Sequence, residues 1–81
     1  TRGELDRAEE MHKKSLAISE KLGRQEGMAT TYGNLGSVAE DRGDLDAARE
    51  LWTKARDLFA KIGMPHRVKE VQGLLDELPA K

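Results

Sequence analysis

Asp44 and Asp46, separated by one residue, are the first pair in this chain whose spacing could do chemistry. Two neighbouring carboxylates can share acid and base work. The same pattern recurs as Glu4 and Asp6, each time directly after a glycine. A repeated glycine–acid start is better explained by capping, because an Asp ahead of a helix accepts hydrogen bonds from its first free N–H groups. His12 and His66 are the two histidines, and neither belongs to a cluster with zinc-site spacing, so no metal is expected. His12 is expected to fill an aromatic slot in the core. Ser15 has no base in a workable arrangement, which removes nucleophilic catalysis. Gly33 and Gly36 do not form a phosphate loop, since no strand precedes them and no Lys-Ser/Thr pair follows. No cofactor is expected, and the chain does not read as an enzyme. One polar set remains: Thr30, Asn34, Ser37 and Asp41, at three- and four-residue steps.

Composition narrows the partners that such a polar line could meet. Of 81 residues, 36% are charged and only 4% aromatic. A chain of this size buries a limited core and needs well-packed helices or association. Fourteen basic residues stand against fifteen acidic ones. That balance lacks the clustered basic face of a nucleic-acid binder, including the helix-turn-helix kind. It also lacks a polybasic membrane anchor, and no apolar run approaches the roughly 20 residues of a spanning helix. There is no cysteine, which excludes disulfides and cysteine–zinc sites and fits a reducing, cytoplasmic setting.

The elements that must hold these residues emerge from a repeat. Gly3-Glu4-Leu5-Asp6-Arg7-Ala8-Glu9-Glu10 aligns with Gly43-Asp44-Leu45-Asp46-Ala47-Ala48-Arg49-Glu50, a spacing of 40 residues. In the same register Arg2 matches Arg42, Lys14 matches Lys54, Gly23 matches Gly63, Gly33 matches Gly73 and Leu35 matches Leu75. Leu45, Ala48, Leu51, Trp52, Ala55, Leu58, Phe59 and Ile62 form an apolar helical stripe. Leu5, Ala8, Met11, Ser15, Ile18 and Leu22 repeat it. Met28, Tyr32, Leu35 and Ala39 make a third stripe, opposite the polar line, and Val68, Val71, Leu75 and Leu78 a fourth. Gly23 and Gly63 suit left-handed positions after helix ends. Gly3 and Gly43 open a second kind of turn. Pro65 suits a first helical turn and Pro79 stops the last helix. Four helices are predicted, at about 4–22, 25–42, 44–62 and 65–78. Glu9–Lys13, Glu10–Lys14, Glu50–Lys54 and Asp57–Lys61 are expected as surface pairs.

Tyr32-x-x-Leu35-Gly36, followed by Gly43, Ala48, Trp52 and Ala55, resembles the tetratricopeptide repeat pattern. The 40-residue unit is similar to the extended repeats of kinesin light chains and of the Leu-Gly-Asn-repeat polarity adaptors. The resemblance implies an all-α fold: antiparallel helix-turn-helix repeats stacked as a short right-handed superhelical α-solenoid of four helices. It implies one fragment over 1–81, a piece or the C-terminal end of a longer array. Gln72 and Asp76 replace the family's aromatic and small residues in the last helix, as expected where an array ends. The family's paired helices approach closely at Gly36. Gly33 lies about 160° from Leu35 around the helix, towards the groove or an adjacent repeat.

The resemblance further implies a scaffold that binds a protein or peptide of unknown identity, in extended or helical form, along the surface formed by the helices at 25–42 and 65–78. The face bearing Thr30, Asn34, Ser37 and Asp41 corresponds to the family's concave groove. Asn34 matches the asparagine that holds a ligand's backbone, an apt choice because one carboxamide offers both donor and acceptor. Its counterpart in the last helix is Leu74, so the clamp is not repeated. The alternative expectation is a homo-oligomer. The first helix would then expose Leu5, Met11, Leu16 and Ile18 for pairing or swapping between copies.

Overall fold

The structure is a computed structural model that describes residues 2–22 and 24–79, without the side chains of 19–22. Four helices follow in order: α1 (Arg2–Leu22), α2 (Gln25–Asp41), α3 (Leu45–Lys61) and α4 (Pro65–Glu77). The described residues contain no strand. Each helix packs on the next, α1 on α2, α2 on α3 and α3 on α4. Three-residue connections at 42–44 and 62–64 leave no room for anything but antiparallel neighbours, so α2 and α4 run parallel on either side of α3.

The glycine turns explain these connections. Gly43 has φ +81° and Gly63 φ +75°, the left-handed backbone that a Cβ disfavours. After α2, the Gly43 N–H donates to the Glu40 carbonyl at 2.9 Å and the Asp44 N–H to the Ala39 carbonyl at 2.8 Å. After α3, Gly63 donates to Ala60 at 3.2 Å and Met64 to Phe59 at 2.9 Å. Both are Schellman ends, which satisfy carbonyls that the helix leaves without partners. Gly43 and Gly63 therefore do the same job. Gly3 opens no turn: it lies inside α1. Gly23 falls outside the described residues. The Asp44 carboxylate caps α3 by accepting from the Ala47 N–H at 3.2 Å. Pro65 begins α4, and Leu78 turns extended just ahead of Pro79, ending it.

Trp52, with no exposed surface, sits at the centre of the core. Ala29, Ala39, Ala48, Ala55, Phe59, Val71 and Leu78 surround it. The α3 stripe lies in or against this cluster throughout. On α2 the buried set is wider than one stripe, taking in Ala29, Thr31, Gly36 and Val38 beside Leu35 and Ala39, because α2 packs between α1 and α3. The Thr31 hydroxyl is satisfied by the Gly27 carbonyl at 2.8 Å. On α1 the half-buried residues are Leu5, Ala8, Glu9, His12 and Leu16, whereas Met11, Ser15 and Ile18 are exposed. The stripe expected from periodicity thus divides between a side towards α2 and a side towards solvent. His12, at the register position of Trp52, is half-buried and fills no core slot.

Arg42 fastens α1 to the end of α2. Its guanidinium donates to Asp6 and lies 3.6 Å from Glu9. The hydrogen bond to Asp6, helped by both carboxylate charges, raises its pKa above the usual arginine value. Glu9–Lys13, Glu10–Lys14 and Glu50–Lys54 pair as expected, at 3.7–3.8 Å on the surface, where such pairs contribute little. Asp57 instead meets Arg56 at 3.3 Å.

Candidate functional site

The polar line of α2 is where periodicity puts it. Thr30, Asn34, Ser37 and Asp41 are all exposed, while Leu35 and Ala39 are buried on the other side. Thr30, Asn34 and Ser37 line a groove of about 170 Å³ together with Gly33 of the same helix. Arg67, Glu70, Val71 and Leu74 form its α4 wall, and Phe59 of α3 its floor. Asp41 lies one turn further along α2, beyond the groove proper.

The groove has a polar α2 wall and a mixed α4 wall, in which Arg67 and Glu70 precede the apolar Val71 and Leu74. Among the described residues, the Asn34 carboxamide makes no hydrogen bond, leaving its donor and acceptor for a ligand. Ser37 donates its hydroxyl to the Gly33 carbonyl at 3.3 Å. Opposite, Leu74 is 37% exposed over the nearly buried Val71 and Phe59. Arg67 is bound to Glu70 at 3.0 Å, and His66 also approaches Glu70 at 3.3 Å, so the charges at that end of α4 are largely matched.

Two glycines of α2 act on this site in opposite ways. A Cβ on Gly36 would press against Cδ1 and Nε1 of the Trp52 indole and lie 3.0 Å from Cε2. The expected close approach is therefore real, and its agent is a side chain. The same indole donates Nε1–H to the Gly33 carbonyl at 2.9 Å. Gly33 is thus tied to the core through its backbone, yet a Cβ there would meet no atom within 4 Å.

That the helix over 65–78 shares a surface with the helix over 25–42 was expected; that Leu74 stands across a gap from Asn34 was not. A signal was present, since the 40-residue register pairs Asn34 with Leu74 and Thr30 with Glu70. That register shows the clamp is not repeated. It does not show that the replacement faces Asn34 across a gap. On α4 the expected departures pair with each other: the Gln72 amide donates to Asp76 at 2.8 Å and its carbonyl accepts from Arg56 at 2.8 Å.

On α1, Leu5 and Leu16 are half-buried, and Met11 and Ile18 are exposed. No group of three or more metal-ligating side chains occurs among the described residues. No helix among them is long and apolar enough to cross a membrane.

The family profile for the tetratricopeptide repeat matches residues 1–61. The chain belongs to the tetratricopeptide repeat family. No curated protein and no solved structure matches it. Tetratricopeptide repeats are scaffold repeats that generally mediate protein–protein interaction. The match includes α1, α2 and α3. The helix beyond it, α4, keeps the register of α2 at Gly73 and Leu75.

Proposed function

We propose that this tetratricopeptide repeat segment binds an extended peptide segment of a partner protein along the groove between α2 and α4. The observation that carries this reading is the free Asn34 carboxamide facing a shallow, partly apolar cleft. Asn34 holds the ligand's main chain, with Thr30 and Ser37 beside it and Asp41 at the far end of the line. The test is a selection of random displayed peptides on the wild-type chain, followed by affinities for the Asn34→Ala variant. Loss of two hydrogen bonds at about 0.5–1.5 kcal/mol each weakens binding by roughly tenfold. Asn34 is exposed, so melting stays unchanged. Selected peptides that bind Asn34→Ala and Leu74→Asp as well as wild type would place the interaction elsewhere.

A second reading concerns α1. Met11 is 68% and Ile18 60% exposed, large values for apolar residues on one helix face. In the repeat register they hold the places of Leu51 and Leu58, which pack against the core. We read this face as a contact between two copies, α1 against α1 across a twofold axis. The outward side of α4, with its Gln72–Asp76 pair, is too polar to serve as the complementary surface. Leu5 and Leu16 support the contact from its edge. Light-scattering mass over a hundredfold concentration range tests it. A dimer that dissociates on dilution and is abolished by Met11→Lys with Ile18→Lys supports the reading, and a monomer at every concentration removes it.

A further inference from the structure

Gly33 poses the sharper question, because nothing in the core forbids a side chain there. A glycine inside a helix is disfavoured relative to alanine, and the Trp52 bond uses the Gly33 carbonyl, which every residue has. Gly33 lines the groove, and a Cβ built on it reaches nothing within 4 Å. The consequence of glycine at this position is empty space between Asn34 and Leu74, over Phe59 and Val71.

The charges along the groove are also uneven. At the N-terminal end of α4, Arg67 and Glu70 neutralise each other. At the C-terminal end, Asp41 of α2 and Glu77 of α4 are both exposed and form no ion pair among the described residues. Glu70, Leu74 and Glu77 follow three- and four-residue steps, so Glu77 continues the α4 wall as Asp41 continues the α2 line. Both helices end there, and their dipoles add negative potential, which Arg49 answers in part by donating to the Pro79 carbonyl at 2.8 Å just past α4.

Resting on the groove reading above, we propose that the occupant is an extended peptide with an aliphatic residue seated over Gly33 and a basic residue near Asp41 and Glu77. Asn34 takes the peptide group beside the aliphatic residue. Gly33 to Asp41 is eight residues along α2, a rise of about 12 Å. An extended chain covers that in about four residues. The basic side chain therefore stands three or four residues from the aliphatic one.

Three synthetic peptide mixtures test this by fluorescence polarisation on the whole chain. One carries a central leucine with lysine three and four residues to either side, the second glutamate in place of lysine, and the third serine in place of leucine. The lysine–leucine mixture binds wild type, and each of the other two binds about tenfold more weakly or worse. Gly33→Leu loses the leucine preference, while circular dichroism shows an intact helical fold. Gly33→Ala, the smaller change, weakens binding while raising the melting temperature. Asp41→Lys with Glu77→Lys turns the preference towards glutamate. If the mixtures bind and Asn34→Ala weakens them, but Gly33→Leu or the charge reversal changes nothing, the peptide class is wrong and the groove reading stands. If none of the mixtures binds wild type, the proposal falls. The unbiased selection against Asn34 then decides the groove by itself.

Discussion

Alanine substituted separately at Gly36 and at Gly33 gives one chemical change, three residues apart on one helix, with opposite expected signs. Each substitution gains about 1 kcal/mol of helix propensity. At Gly36 the new methyl enters the space of the Trp52 five-membered ring, so the indole must move. Trp52 is fully buried and has little room. Overpacking of this kind costs about 1–3 kcal/mol. If the ring shifts enough to lose the bond from Nε1 to the Gly33 carbonyl, a buried N–H without a partner costs about 1–3 kcal/mol more. With the ring displaced and the bond lost, the net of these terms is a loss of about 1–5 kcal/mol, a fall in melting temperature of roughly 4–8 °C per kcal/mol for a chain this short. Gly33→Ala meets no obstacle and keeps the Trp52 bond, so melting rises by roughly 2–8 °C. The assay is thermal and urea unfolding, followed by far-ultraviolet circular dichroism and by fluorescence of the single tryptophan. Trp52→Phe removes both the ring edge and the donor. In that background Gly36→Ala costs less than in the wild type, the non-additivity expected of touching residues. A Gly36→Ala variant as stable as wild type, or a Gly33→Ala variant that melts lower, would refute the assignment of these two glycines.

Two further outcomes follow from the helix ends and from the α1 contact. Asp44→Ala removes the cap on α3 and lowers stability by about 1 kcal/mol, read as an earlier urea midpoint at unchanged slope. Arg42→Gln releases α1 from Asp6 and Glu9, and hydrogen exchange in residues 2–16 speeds up relative to α3. Because the Arg42 pKa is raised, the guanidinium stays charged throughout the neutral range, and its share of the stability is lost on the alkaline side as pH climbs through that raised value.

The helices were legible because each half of the chain repeats the other. Gly43 and Gly63 share one end motif, and the apolar positions of α3 lie in one cluster. Periodicity could not say how many sides of a helix have neighbours. On α2 it missed Ala29, Thr31 and Val38, which are buried because two helices flank it. On α1 it merged Leu5 with Met11, although only one side of that helix lies towards α2. The groove was half legible for a similar reason. Its polar line follows from the α2 sequence alone. Its α4 wall depends on how far α4 stands from α2, a distance set by the α3 side chains between them, Phe59 among them.

The repeat itself separates the two roles of glycine in α2. Position 36 becomes Asp76 in α4, and position 33 stays glycine as Gly73. The single tryptophan of the given sequence packs at Gly36, and at the matching position Asp76 accepts from the Gln72 amide. Gly33 and Gly73 share a different property: a Cβ on either meets nothing within 4 Å. Their recurrence without any steric demand, on the parallel helices α2 and α4, cannot be assigned to close packing within the core. At Gly33 the open space lies in the groove, between the free carboxamide of Asn34 and the exposed edge of Leu74. On the groove reading proposed above, that space is the one an extended peptide would occupy, and the stability lost at Gly33 would be offset by binding.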